Sequence, residues 1–354
     1  MQRVVLLFSL CLACNGAPSK TKPPEARPGN GGHAVEPIPA GFRAVTPVLT
    51  VSDVAAALEW YGNAFAAKPM LSLANAEGTV LHAELELGDG RLMLDAEDPE
   101  HGHLAPASLG GVNVGFYLYV ENVDAAYEKA VNLGAESDMP PTDMLWGDRV
   151  AELTDPAGHH WSLATHVQDI SPEQIAGGYE ALAEAIAAGE DPPAITLERT
   201  ATSWKPEGYP TLIPTIIIEG GVAALSFYED AFAAKVLEEV PMPDGKTLLH
   251  GNIRIGDSLL MLQSSFDAKP ELQSAVELGG TVASFYNYVE SVDDSWQRAV
   301  DAGATAVMKP TEMFWGDRVG ELLDRSGVPW MIATHVRDVP PEELAERFAQ
   351  AVAQ

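Results

Sequence analysis

His82 and Glu84 alternate along the apolar run Leu81-His82-Ala83-Glu84-Leu85, so a strand there sets both side chains on one face. The Asp89-Gly90 pair that follows is a tight-hairpin signal and folds Arg91–Ala96 back onto that strand. The register read from the turn pairs Glu84 with Asp95 and Glu86 with Met93. An imidazole and two carboxylates then share a face, a set suited to a cation or an amine. Two facing carboxylates also push one pKa upward. A second set stands at the matching place in the second half of the chain, with His250 against His82: His250, Asn252 and Gln263, with Arg254. Its turn, Asp257-Ser258, pairs Asn252 with Gln263 and Arg254 with Met261. That set is neutral to positive and suits an anion or a hydrogen-bonding ligand.

A third group is the stretch Met144-Leu-Trp-Gly-Asp-Arg149, which returns as Met313-Phe-Trp-Gly-Asp-Arg318. As binding residues, Trp146 and Trp315 would form flat apolar walls, and Arg149 and Arg318 planar donor forks for an anionic group. As structure, Arg149 would pair with Asp148 or Asp143 and fix the loop while Trp146 closes the core. An Asp-Arg neighbour pair in a turn is more often structural, and that reading comes first. His166 and His335 end the strands that follow and read first as structural histidines. His101, His103, His159 and His160 have no counterparts in the second half and are expected at the surface.

The elements that must position these residues also come twice. Residues 144–169 and 313–338 agree at sixteen of twenty-six positions, and self-similarity at a fixed offset signals duplicated architecture. Tyr61 matches Tyr228, Tyr117 matches Tyr286 and Trp146 matches Trp315, at a nearly constant offset. Val45–Val51 reads as a strand, and Asp53 caps a helix over Val54–Phe65. Thr79–Leu87 and Arg91–Ala96 form the hairpin. The order recurs in strand Val114–Val120, helix Asp124–Leu133, strand Met139–Pro141 and the pair Arg149–Leu153 and His160–Thr165. The half-chain is therefore β-α-β-β-β, twice. A helix over Pro172–Ala188 and an irregular stretch join it to the second half, and residues 340–354 form a closing amphipathic helix.

The chain has 354 residues, 51 acids against 21 bases and a formal net charge of −30. No basic footprint for a nucleic acid is present, and anionic membrane surfaces would repel the folded part. Arg3, the short apolar run Val4–Leu12 and Leu12-Ala13-Cys14 resemble a bacterial secretory signal of the lipoprotein type. That resemblance implies cleavage before Cys14 and a lipid on Cys14. An ordinary cleaved signal without an anchor is the alternative. Cys11 and Cys14 are the only cysteines, so neither a disulfide framework nor thiol catalysis is expected beyond them.

The β-α-β-β-β units ending in Asp-Pro-x-Gly and an apolar strand resemble the vicinal oxygen chelate (VOC) superfamily of glyoxalase I, extradiol dioxygenases and bleomycin-resistance proteins. Thr46-Pro47, Leu81-His-Ala-Glu-Leu85, Ser108-Leu-Gly-Gly111, Trp146-Gly-Asp-Arg149 and Ala164-Thr-His-Val167 look like its PhnB-like branch. The resemblance implies an α+β fold of two tandem VOC domains, each a pair of βαβββ modules forming a cupped mixed sheet. The segments are a signal peptide at 1–13, a Pro/Gly-rich tether at 14–41, domain 1 at 42–170, a helical linker at 171–208, domain 2 at 209–339 and a C-terminal helix at 340–354. In the superfamily's metalloenzymes the first and fourth strands of each module give the ligands. Those positions fall on Thr46, Met93, Gly115 and Ser162, and on Ile213, Met261, Ser284 and Met331. None is His, Glu or Asp, so no metal and no cofactor are expected.

The same comparison places Tyr117, Tyr119 and His166 on the cup face of domain 1, and Tyr286, Tyr288 and His335 on that of domain 2. The expectation is an envelope-anchored protein binding a small molecule in its cups, attached to the membrane through its N-terminal lipid only and packed as an intramolecular pseudo-dimer. Asn15, by resemblance to other lipoproteins, points to the outer membrane over the inner. Catalytic residues are not assigned. Two alternatives stand: a metal-dependent lyase or isomerase with a displaced site built from His82, Glu84 and His166 or Asp95, and a structural or partner-binding envelope protein with filled cups.

Overall fold

The structure, a computed structural model, describes residues 35–188, 195–266 and 270–352. The signal segment, Cys14 and the tether up to residue 34 lie outside the described residues. Four βαβββ modules follow one another. The first is β1 (Val45–Val51), α1 (Val54–Phe65), β2 (Lys68–Ala74), β3 (Val80–Leu87) and β4 (Gly90–Ala96). A short helix α2 (Pro106–Leu109) leads to the second: β5 (Val114–Tyr119), α3 (Val123–Asn132), β6 (Glu136–Asp143), β7 (Asp148–Thr154) and β8 (His160–His166). Helix α4 (Pro172–Ala188) belongs to the connection. The third module is β9 (Leu212–Ile218), α5 (Ala224–Phe232), β10 (Lys235–Pro241), β11 (Leu248–Ile255) and β12 (Ser258–Ser264). After α6 (Ala275–Leu278) comes the fourth: β13 (Ala283–Tyr288), α7 (Val292–Asp301), β14 (Thr305–Glu312), β15 (Asp317–Leu323) and β16 (Pro329–His335), closed by α8 (Pro341–Val352).

Local chemistry sets the boundaries. Asp53 accepts from Ala56 N and caps α1, and Asn122 and Ser291 do the same for α3 and α7, satisfying amides that a helix start leaves open. Strand β1 is buried along its whole length, as a central strand with both faces covered should be. Strand β2 is mostly exposed, and it is the one strand of the module for which the sequence supplied no range.

The α+β class and the paired modules stand, but the modules pair differently from the expectation. There are two eight-stranded sheets, ordered β14-β15-β16-β13-β1-β4-β3-β2 and β10-β11-β12-β9-β5-β8-β7-β6. The first module shares a sheet with the fourth, through antiparallel β1 and β13, and the second with the third, through β5 and β9. No cup is closed within one half of the sequence. Modules one and two instead meet through their helical side. Tyr61 of α1 donates to Asp155 at 2.6 Å, Trp161 Nε1 donates to the same oxygen at 2.8 Å, and the Trp161 ring lies against Phe65 and Phe116. Tyr228, Trp330 and Asp324 repeat the arrangement in the other half. Each half of the chain is thus joined by its helices, and the two halves are joined by their sheets.

Candidate functional site

The strand partners in both hairpins differ from the sequence reading. His82 faces Asp95 and Glu84 faces Met93, while Asn252 faces Met261 and Arg254 faces Leu259. Each turn is centred one position earlier than expected, on Gly88-Asp89 and Gly256-Asp257, because both glycines take the left-handed conformation that a tight turn needs. That moves each cross-strand partner by two positions, which leaves every side chain on its face. The face assignments therefore stand while the neighbours change.

The first cup, between modules one and four, carries Val48, Met93, Tyr286, Tyr288, Val319, Met331 and Ala333 as a buried cluster with Phe42 and Trp315 against it. His82, Glu84 and Asp95 lie here, but their charges are answered from within. His82 Nδ1 lies 2.6 Å from Asp95, and Arg91, which sequence reasoning passed over, donates to Glu84 at 2.9 Å. Burial works against a proton on His82, yet the Asp95 and Glu84 carboxylates outweigh it and raise its pKa. Arg91 also sits over the Phe42 ring, 4.5 Å from its centroid. Beside this cup Leu71, Leu73 and Leu81 pack around Phe348 of α8, whose side chain is fully buried. Glu321 of β15 is buried too, and desolvation pushes its pKa up to about 7.

The second cup, between modules two and three, opens into a cavity of about 430 Å³. Tyr117, Tyr119, Trp146, Tyr179 and Tyr209 form its aromatic wall, with Met144 and Met261. Glu238, His250, Asn252 and Gln263 supply a polar side. Tyr179 comes from α4 and stacks between Trp146 (6.3 Å, 14°) and His250 (5.9 Å, 12°). Asn252 Nδ2 donates to Glu238 at 2.7 Å, and His250 Nε2 lies 3.6 Å from the same oxygen. Burial pushes the His250 pKa down, so its ring is neutral at neutral pH. Among the described residues, the lining includes the carboxylates Asp148, Glu152 and Glu238 and neither a lysine nor an arginine. Arg254 lies on β11 opposite Leu259 and does not line the cavity, though its charge reaches Tyr209, which does. The polarity read from the sequence is therefore reversed: the set expected to suit an anion sits in the acidic cavity, and the set expected to suit a cation is already paired.

The repeated Trp-Gly-Asp-Arg stretch divides its residues between the two faces of the sheet. Asp148, 2% exposed, accepts from Tyr117 and Tyr119, each at 2.8 Å, and pairs with His166 Nδ1 at 2.8 Å. In the first cup Asp317 accepts from Tyr288 at 2.9 Å and pairs with His335 at 2.7 Å. Trp146 and Trp315 donate to Tyr117 and Tyr286. The aspartate, expected from the sequence only as a partner for Arg149, is the hub. Its hydrogen bond raises the pKa of His166 and of His335 against desolvation. Tyr117 and Tyr119 are pushed far up, first by burial and then by the Asp148 charge, so neither phenol serves as a base. Arg149 and Arg318 do not enter the cups as candidate ligand residues. They alternate to the helical face, where Arg149 holds Asp124 and Asp143 rather than Asp148, and Arg318 holds Asp293.

Two further expectations change. His159 is fully buried and its Nε2 lies 2.9 Å from the Thr50 carbonyl, joining module two to β1, and His103 is 6% exposed. Neither is a surface residue: His159 is taken up by β1, and the connection carrying His103 pairs with Thr281 ahead of β13; His160, also expected at the surface, lines the second cup. His166 stands in the other sheet from His82 and Glu84, which removes it from the displaced metal site, while His82, Glu84 and Asp95 stay in one cup with His82 held on Asp95 and Glu84 on Arg91. Among the described residues no group of three or more His, Cys, Asp or Glu is placed to hold a metal ion.

A family model, the Glyoxalase/Bleomycin resistance protein/Dioxygenase superfamily, matches residues 43–163 and 217–332. The chain is 36% identical over 135 residues to the uncharacterized protein Rv0887c of Mycobacterium tuberculosis, a match covering 37% of this chain and 79% of that one. The uncharacterized protein Mb0911c of Mycobacterium bovis matches at the same identity, with 89% of its length covered. Glyoxalase I from Zea mays superposes with a TM-score of 0.53 at 14% identity, over 86% of this chain and 95% of that one, a likeness of fold alone. With the family model spanning two regions of βαβββ modules, the chain belongs to the Glyoxalase/Bleomycin resistance protein/Dioxygenase superfamily.

Proposed function

We propose that this protein binds a small molecule in the cup formed by modules two and three, while the first cup serves as structure. The cavity of about 430 Å³ carries the reading. It falls within the range of roughly 300–1,000 Å³ usual for ligand sites, mostly apolar with a few converging polar groups. The alternative of two filled cups does not suit a cavity of this size.

Metal chemistry of the kind the superfamily implies does not suit the donors. The central positions regroup as Thr46, Met93, Ser284 and Met331 in one cup, and Gly115, Ser162, Ile213 and Met261 in the other. They offer hydroxyls and thioethers where a divalent ion is held by imidazole and carboxylate. We derive no step through a metal. The motifs quoted above support a reading within the PhnB-like branch. The Leu12-Ala-Cys14 signal supports a lipid anchor in the bacterial envelope, with the outer membrane preferred, and the net charge of −30 speaks against contact with nucleic acid. The crossed sheets support an intramolecular pseudo-dimer. No helix among the described residues is long and apolar enough to cross a membrane.

Native mass spectrometry with elemental analysis of the purified protein, followed by a small-molecule screen, tests the binding reading. Binding that is lost in Ser162→Phe, which fills the cavity floor, is the expected result. Stoichiometric zinc, nickel, manganese or iron, or binding unaffected by Ser162→Phe, would overturn it. Palmitate incorporation lost in Cys14→Ser is the corresponding test of the anchor.

A further inference from the structure

The two cups are related by the repeat, so each residue of one has a counterpart in the other. Leu71 faces Glu84 across β2 and β3, and Glu238 faces Asn252 across β10 and β11. The carboxylate has therefore changed strands between the cups, from β3 to β10. Arg91, which neutralises Glu84 in the first cup, corresponds to Leu259 at the same offset that relates His82 to His250. The second cup has kept a carboxylate and has no guanidinium at the Arg91 position; Arg254, further along β11, reaches Tyr209 with its charge. His250 does not replace that guanidinium, because burial holds its ring neutral.

A second observation points the same way. The Asn252 side chain is buried, 5% exposed, and its Nδ2 is fixed on Glu238. The reverse orientation would set oxygen against oxygen. Its Oδ1 thus points away from Glu238; it lies near enough to the His250 ring to raise that pKa, yet it is buried without a hydrogen bond of good geometry. A buried acceptor left alone costs free energy that a donor from a ligand recovers. Glu238 and Asn252 both line the cavity beside the Tyr179 and His250 rings. Together they ask for a positive group that carries N–H, next to an apolar body that can lie along Trp146, Tyr119 and Tyr209.

We infer that the cup between modules two and three takes an organic cation bearing N–H, a protonated amine or amidine on an aromatic or apolar body, with its charged end on Glu238 and Asn252. This rests on the binding reading above and narrows it to a ligand class. In the counterpart cup Arg91 is the built-in cation on Glu84.

Three indole probes of similar shape separate the possibilities: tryptamine as the cation, tryptophol as the neutral form and indole-3-acetate as the anion. Each is titrated calorimetrically into the full-length protein at pH 7, and into Glu238→Gln and Asn252→Leu. Tryptamine should bind about tenfold more tightly than tryptophol, as expected of a desolvated charge on a carboxylate beside aromatic faces, and indole-3-acetate least. Glu238→Gln should remove that tenfold preference while tryptophol still binds, which also shows that the variant is folded. Asn252→Leu should weaken tryptamine more than tryptophol. Tryptophol or indole-3-acetate binding as tightly as tryptamine, or a preference that survives Glu238→Gln, would overturn the cation assignment while leaving the binding reading in place. Failure of all three probes to bind at millimolar concentration would overturn both.

Discussion

Replacing Asp148 by Asn tests whether the aspartate of the repeated stretch is the hub of its cup. The substitution keeps the shape and removes the charge. Asp148 receives three hydrogen bonds, from Tyr117, Tyr119 and His166, and all three are charge-assisted. Tyr117 and Tyr119 use one carboxylate oxygen and His166 the other, so an asparagine keeps an acceptor on one side only; at about 1 kcal/mol for each bond weakened or lost, Asp148→Asn should destabilise the fold by about 3 kcal/mol or more. Asp317 receives two such bonds, from Tyr288 and His335, and Asp317→Asn should cost about 2 kcal/mol on the same reasoning. The effect also has a pH signature. The folded pKa of His166 is raised, first by its bond to Asp148. The stability this contributes is complete below the unfolded value of about 6.5 and is lost as pH rises through the folded pKa. Urea unfolding at pH 6 and at pH 9 should therefore show a larger defect for Asp148→Asn at pH 6. Proton NMR titration should show the His166 ring shifting to a lower pKa in the variant. A defect for Asp317→Asn equal to or larger than that for Asp148→Asn, or one independent of pH, would refute the hub assignment.

Other substitutions probe the remaining parts. Glu321→Gln should stabilise the protein at pH 8, because the difference between a folded pKa of about 7 and the usual 4.5 corresponds to about 3 kcal/mol. The penalty is absent below pH 4.5 and complete above pH 7, so the gain should vanish at pH 4, and equal melting of both proteins at pH 8 would contradict the burial argument. Phe348→Ala should cost about 3–5 kcal/mol or release α8, read as lost amide protection over residues 341–352, with tryptamine affinity unchanged. Tyr179→Ala, at the equivalent place on α4, should instead weaken tryptamine. Arg149→Gln removes pairs to Asp124 and Asp143 at a partly exposed site and should cost under about 1 kcal/mol. A lost ligand affinity in that variant would return Arg149 to the site.

How far the sequence revealed this arrangement depended on the range of the interactions involved. The duplicated modules, the caps at Asp53 and Asn122 and the face on which each strand residue lies were legible, because they follow from local periodicity and capping. Which modules share a sheet was not. Strands β1 and β13 pair across most of the length of the chain (Val45 against Asn287), and nothing local in Val45–Val51 distinguishes β13 from β5 as a neighbour. That one ambiguity decided the site. With modules paired in chain order, His82 and Glu84 share a cup with Tyr117, Tyr119 and His166; with modules crossed, Tyr117 and Tyr119 face His250 and Asn252 instead. The contrasts between Glu84 and Asn252 and between Asp95 and Gln263 were visible, and they pointed to the right strands with the wrong sign. The residues that set the sign were Arg91 against Leu259 and Leu71 against Glu238. Leu71 and Glu238 lie on edge strands that leave little hydrophobic pattern, yet aligning the two halves through β2 and β10 would have exposed them. In a duplicated fold the informative comparison is thus the complete set of partners around each exchanged residue. A carboxylate that persists while its arginine disappears says more about a ligand than either cup does alone.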